Sequence, residues 1–178
     1  KIENPEFQYE GNINFNPFYS NMTGKTESLD LSHLFNTTGI ISQSLKTEIF
    51  NNKNIDFEFD LKAEKLSHNS DFKNIILNLK IQDGLIDINK TNFNWREFVD
   101  FKILDSLFFV KNGELVLDGK VIIDIKNLKE LYKFLLTPKN FRKDLKIVDL
   151  NFSYNFDQKS LSLRDIKLDN QYNENINI

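Results

Sequence analysis

The residues of this chain that could carry chemistry are few and scattered. Two histidines, His33 and His68, stand in unrelated contexts, and neither has a partner at ligand spacing, so no metal site is expected. Cysteine is absent, which removes thiol nucleophiles, cysteine zinc sites and disulfides together. No serine sits on a glycine-flanked elbow, and there is neither a phosphate loop nor a dinucleotide fingerprint. The 26 acidic residues fall mostly between apolar neighbours in alternating runs, where a solvated face carries them, and nothing marks a pair for glycoside chemistry. Trp95, in Asn92-Phe93-Asn94-Trp95-Arg96, could stack on a sugar, but an aromatic in such alternation is the ordinary currency of strand packing. Sequons at Asn21, Asn36, Asn89 and Asn151 carry little information in so asparagine-rich a chain. The reading is of a non-enzymatic protein without cofactor or metal, working through a surface.

Charge narrows the surface. Twenty-three basic residues against 26 acidic ones give a formal net charge of −3, and the signs are interleaved along the chain. That overall balance argues against a nucleic-acid partner and against steering to anionic lipid headgroups. No apolar run approaches a membrane span; the longest, Leu107-Phe108-Phe109-Val110, is strand-sized.

What must position any surface is a set of strands. Ile55-Asp56-Phe57-Glu58-Phe59-Asp60-Leu61-Lys62-Ala63 alternates apolar and charged without a break. Ile75, Leu77, Leu79 and Ile81 repeat the pattern, as do Leu115, Leu117, Val121 and Ile123, and again Leu150, Phe152, Tyr154 and Phe156. Period-two alternation gathers Ile55, Phe57, Phe59 and Leu61 with the twelve residues of the other runs, sixteen side chains, on one face of each strand, as in antiparallel sheets wetted on the other side. Asp83-Gly84 and Asn112-Gly113 between such runs signal tight hairpins, and a looser turn spans Asn155 to Ser160. Gly119 is expected to be a bulge or bend in one long strand. Short helices are expected near 30–49 and 127–143. Leu31, Leu34 and Phe35 suggest one, and Ile41, Leu45 and Ile49 another beyond Gly39. Leu128, Leu131, Tyr132, Leu135 and Leu136 form the apolar stripe of a third, capped by Asn127 with Glu130, stopped by Pro138, and expected to lie on the sheet.

Roughly eight to ten strands against about three short helices leave apolar surface to cover. The sheet either closes as a sandwich or barrel, serving as a scaffold or adhesin, or stays open as a trough whose lining meets a ligand. The fold class expected is mainly β, an antiparallel meander curled into an open, taco-like groove, lined by the sixteen residues named above. A glycan-binding β domain using Trp95 is a further alternative.

The stretch from Ile40 to Asp169 resembles the AsmA-like proteins, bridge-like lipid-transfer proteins of the bacterial envelope built on a repeating β-groove. The likeness rests on Ile40-Ile41-Ser42-Gln43-Ser44-Leu45-Lys46-Thr47-Glu48-Ile49-Phe50-Asn51-Asn52 leading into alternating strands, and on Leu79-Lys80-Ile81-Gln82-Asp83-Gly84-Leu85-Ile86-Asp87-Ile88. It continues through Asn112-Gly113-Glu114-Leu115-Val116-Leu117-Asp118-Gly119 and Phe152-Ser153-Tyr154-Asn155-Phe156-Asp157. The resemblance implies a periplasmic groove that binds or conducts phospholipid or another acyl-chain lipid between inner and outer membrane, in outer-membrane biogenesis. It implies an inner-membrane anchor outside residues 1–178, which would be a single segment of a larger elongated protein, and no catalytic residue.

Overall fold

The computed structural model describes residues 2–3, 7–32 and 39–172. Its strands are β1 (Ile2–Glu3), β2 (Phe7–Phe15), β3 (Phe18–Leu29), β4 (Ile55–Leu66), β5 (Phe72–Gln82), β6 (Leu85–Asp87), β7 (Asn92–Trp95), β8 (Val99–Lys111), β9 (Glu114–Ile125), β10 (Ile147–Asn155), β11 (Ser160–Leu168) and β12 (Gln171–Tyr172). Two short helices, α1 (Ile40–Lys46) and α2 (Leu128–Phe134), and a 3₁₀ turn at Lys139–Phe141 complete the described chain. The expected helix around Leu34 and Phe35 falls outside the described residues.

All twelve strands belong to one sheet, laid out in chain order, with β1 and β12 at opposite edges. The sheet is open, so the closed sandwich or barrel is not the architecture. β6 and β7 are two pieces of one interrupted strand, both lying between β5 and β8. The meander has one departure: β3 and β4 are parallel, from Phe18 opposite Ile55 to Leu29 opposite Leu66. A parallel neighbour demands that the chain return the full length of the strand before pairing, which is the task of residues 30–54 with α1 among them.

The tight turns form as their residues dictate. Asp83 and Gly84 have φ of 54° and 77°, and Asn112 and Gly113 have 54° and 80°, the two positive values that a type I′ hairpin requires. These turns, the β2–β3 turn at Asn16-Pro17 and the β10–β11 turn all lie at one end of the sheet, as the registers require. We call this the hairpin end. The opposite end carries the β4–β5 and β7–β8 turns and the long β9–β10 connection that holds α2.

Three bulges hold the alternation in phase. Asn74-Ile75 opposes Phe93, Asp105-Ser106 opposes Gly119, and Asp165-Ile166 opposes Leu150, so two residues face one each time. The first residue of each pair is left-handed, with φ of 51°, 48° and 54°. Asn and Asp tolerate that region better than other non-glycine residues. Gly119 is therefore not itself the bulge: β9 runs unbroken through it, and the extra residue lies across from it in β8.

α1 is shorter than expected, ending at Lys46 and leaving Ile49 63 % exposed. The expected docking of α2 is also corrected. The helix stops at Phe134, none of its residues is buried, and Leu135 and Leu136 are 56 % and 85 % exposed. Asn127 does cap it, accepting a hydrogen bond from the Glu130 amide. The stripe fails because the helix ends before its last two members: Leu135 is the C-cap and Leu136 turns left-handed, with φ of 52°.

Candidate functional site

The registers decide which side chains share a face. In β4 and β5, Phe57 opposes Ile81, Phe59 opposes Leu79, and Leu61 opposes Leu77. Ile81 opposes Ile86 in β6, Ile86 opposes Phe108 in β8, Phe108 opposes Leu117 in β9, and Leu117 opposes Tyr154 in β10. Directly opposed residues of a ladder project to the same side of the sheet. Following this chain of pairs, all sixteen residues singled out from the sequence lie on one face: Ile55, Phe57, Phe59 and Leu61; Ile75, Leu77, Leu79 and Ile81; Leu115, Leu117, Val121 and Ile123; Leu150, Phe152, Tyr154 and Phe156. Asp56, Glu58, Asp60 and Lys62 occupy the other.

The face is covered unevenly. Leu61, Ile75, Ile81, Leu115, Leu117, Leu150 and Phe156 are buried, while the other nine of the sixteen keep intermediate exposure. Burial is deepest at the hairpin end, where Leu115, Leu117 and Phe156 form a cluster with Leu45 of α1 packed on it, alongside Ile88, Phe108, Phe152 and Tyr154. α1 is held there by an ion pair between Lys46 and Asp157. Asp157 also accepts the Leu115 amide, at 2.9 Å. The Lys46 ammonium, and after it the Leu115 N–H, hold the Asp157 carboxyl below its ordinary pKa. The helix is thus fastened over one end of the apolar strip.

Between the ends runs a series of rings. Tyr9 stacks on Phe59 at 6.0 Å, Phe93 on Phe101 at 4.9 Å, and Tyr154 meets Phe156 edge-on at 4.9 Å. Two rings lie over glycines: a Cβ on Gly24 would come 2.8 Å from the Tyr9 ring, and one on Gly119 would come 2.9 Å from Phe152. Phe93, Phe101, Phe108, Val148 and Ile166 share this face but are not among the residues singled out from the sequence. For Phe108 and Ile166 the signal is the Asp bulge, after which the alternation resumes one residue out of phase, whereas Val148 extends the in-phase run of Leu150, and Phe93 and Phe101 stand in short alternations of their own.

The opposite end closes differently. Trp95 and Phe98 meet Phe134 of α2 at 5.1 and 6.3 Å, and the Arg96 guanidinium lies over the Phe134 ring at 4.2 Å. Trp95 therefore packs against protein rings and a cation, which is a structural use of its π-face.

The polar face has its own hollow, of about 620 Å³, lined among others by Glu10, Lys25, Glu58, Asp60, Lys62 and Asn78. A twisted sheet is saddle-shaped, so either face can be concave along one diagonal. Among the described residues no three His, Asp or Glu side chains converge as a metal site, and no helix is long and apolar enough to cross a membrane. His68 sits 3.6 Å from Asp30 and is largely exposed, whereas His33 lies outside the described residues. Comparison with protein-family models, with curated proteins and with solved structures returned no match.

Proposed function

We propose that the apolar face is a passive binding surface for acyl chains, and that the chain is a periplasmic segment of an AsmA-like protein conducting phospholipid between inner and outer membrane. The observation that carries this reading is the combination of an open single sheet with an apolar face on which nine of sixteen lining residues keep intermediate exposure. A soluble monomer rarely leaves a contiguous apolar surface of that kind unoccupied. An acyl chain laid along it gains about 0.8 kcal/mol for each CH₂ removed from water. The residues supply area and shape, with no group required to turn over. The anchor to the inner membrane belongs to this proposal and lies outside residues 1–178.

The test uses a pair of substitutions at adjacent positions on opposite faces. Leu79 lies opposite Phe59 on the strip, and Lys80 opposite Glu58 on the polar side. The protein is purified gently, extracted with organic solvent and its extract weighed by mass spectrometry. Phospholipid in stoichiometric amount, retained in Lys80→Glu and lost in a folded Leu79→Asp, is the expected result. A folded wild-type protein that carries no lipid and takes up no fluorescent phospholipid from vesicles overturns the proposal.

A further inference from the structure

The net charge of −3 conceals a local inversion. Residues 128–147, which hold α2, the 3₁₀ turn and the start of β10, carry six cations (Lys129, Lys133, Lys139, Arg142, Lys143 and Lys146) and two anions (Glu130 and Asp144). The segment is therefore +4, and the other 158 residues together are −7. Within the same segment lie the exposed apolar side chains Leu135, Leu136 and Phe141, at 56 %, 85 % and 68 % exposure. The charge balance that argues against anionic headgroups describes the chain as a whole and not the charge of this lobe.

The lobe is built rather than loose. The Tyr132 hydroxyl donates to the Lys143 carbonyl at 2.6 Å and accepts the Lys143 amide at 3.0 Å. Arg142 Nε donates to the Thr137 carbonyl at 2.9 Å, with its guanidinium over the Tyr132 ring at 5.9 Å. The helix ends in a Schellman turn, the Thr137 amide reaching the Tyr132 carbonyl at 2.9 Å and the Leu136 amide the Lys133 carbonyl at 3.2 Å. The left-handed position of that turn is the place for glycine or asparagine, yet it holds Leu136. A leucine there is unfavourable twice over, in backbone strain and in water contact, and nothing in the fold gains from it. Its side chain, 85 % exposed, adds an apolar group to the surface of the lobe and nothing to the core.

We infer that the 128–147 lobe is a docking surface for an anionic phospholipid bilayer, with Leu135, Leu136 and Phe141 entering the interface and Lys139, Arg142, Lys143 and Lys146 meeting the headgroups. Basic residues flanking exposed Leu and Phe are the composition of an interfacial anchor, in which apolar burial and attraction to acidic lipid act together. Through Phe134 the lobe is fixed to Trp95 and Phe98, at the end of the sheet opposite to α1. The inference stands on this surface alone and does not need the apolar strip to carry lipid.

The whole chain is tested for co-flotation with vesicles of phosphatidylethanolamine and phosphatidylglycerol, and with vesicles of phosphatidylcholine alone. Binding is expected to the first, weakening with salt, and not to the second. Each cation near an acidic surface is worth roughly a fivefold gain, so Lys139→Glu with Lys143→Glu should lower affinity by at least an order of magnitude. Leu136→Asn separates docking from a structural role: asparagine suits the left-handed turn, so the variant should melt no lower than the parent while binding vesicles about tenfold more weakly. Lys80→Gln, on the polar face of β5 and outside the lobe, should leave vesicle binding intact. Binding that is equal on both vesicle types, or unchanged in Leu136→Asn and the charge variant, overturns the inference. So does binding abolished by a folded Leu79→Asp alone, which would place the contact on the strip. Absence of vesicle binding together with self-association lost in the same lobe variants would assign the surface to the acidic body of a second copy, and also overturns it.

Discussion

The Phe152 ring lies across Gly119, so close that a single carbon added to the glycine would stand 2.9 Å from two of its atoms. The neighbouring backbone at Ser106 is 3.3 Å away on the other side, so the added carbon has no free direction. Gly119→Ala should lower the midpoint of chemical denaturation by an amount equivalent to about 1–3 kcal/mol, as overpacking does. With Phe152→Ala in the background the penalty should shrink, and a double-mutant cycle measures how much belongs to the pair. Additive effects would mean that the ring does not set the requirement for glycine.

The interruption between β6 and β7 is stitched to its neighbours by side chains. Asn89 Oδ1 accepts the Ser106 amide at 2.7 Å and its hydroxyl at 3.0 Å, while the Thr91 hydroxyl bonds the Asn78 backbone. Ser106 and Thr91 are both 5 % exposed. Asn89→Ala leaves buried donors at Ser106 without that acceptor and should cost about 1–3 kcal/mol in equilibrium unfolding. An unfolding curve that overlays the parent would show that the β8 bulge keeps its shape without Asn89.

Fastening of α1 should depend on pH with a definite sign. The folded-state pKa of Asp157 is depressed by Lys46 and by the Leu115 amide, so the unfolded state binds the proton more readily. The stabilisation is complete above the unfolded carboxylate value of 3.8 and is lost as pH falls through the lower folded value. Stability measured on descending into that acid range should therefore fall more steeply in the parent than in Asp157→Asn. Parallel curves for the two proteins would remove Asp157 from the account.

Trp95 is the sole tryptophan, and its nearest ring partner is Phe134 of α2. Phe134→Ala should shift its fluorescence emission to the red as the lobe loosens and water reaches the indole. Leu131→Asp should be mild, on the order of 1 kcal/mol or less, because none of the helix is buried. A loss of several kcal/mol at Leu131 would mean that α2 docks far more firmly than its exposure shows.

The parts legible in the sequence are those where one local rule governs several residues together. β4 reads directly because Phe57, Phe59 and Leu61 alternate with Glu58, Asp60 and Lys62, and the type I′ turns read because Asp83-Gly84 and Asn112-Gly113 have few other uses. β2 carries the same alternation, with Phe7, Tyr9, Ile13 and Phe15 between Gln8, Glu10, Asn12 and Asn14, but it and β3 are weaker in other respects. Their apolar face is thinned by Gly11, Ser20 and Gly24, and Asn12, Asn14 and Asn21 are poor strand formers, so pairing with β4 overrides propensity there. The parallel join of β3 to β4 depends on where a 25-residue connection (30–54) travels, which no local pattern encodes. The stripe of α2 was legible as a pattern, but the helix stops at Phe134, immediately before the pair that would have completed it.

The bulges at Asn74, Asp105 and Asp165 act on this chain as single-base insertions act on a reading frame. Each added residue would turn the remainder of its strand over, exchanging inside for outside, were the backbone not folded left-handed at that position to absorb it. The sequence beyond each bulge is written in the shifted frame: Val99, Phe101 and Ile103 are odd-numbered on the apolar side, and Phe108 and Val110 are even-numbered on the same side. Deleting Asp105 therefore does more than remove one side chain. Either the pairing of β8 with β9 slides by one residue, or half of β8 presents Lys102 and Asp100 where Phe101 and Ile103 had been. The strand can be lengthened or shortened only in pairs, and these three residues are where its punctuation is kept.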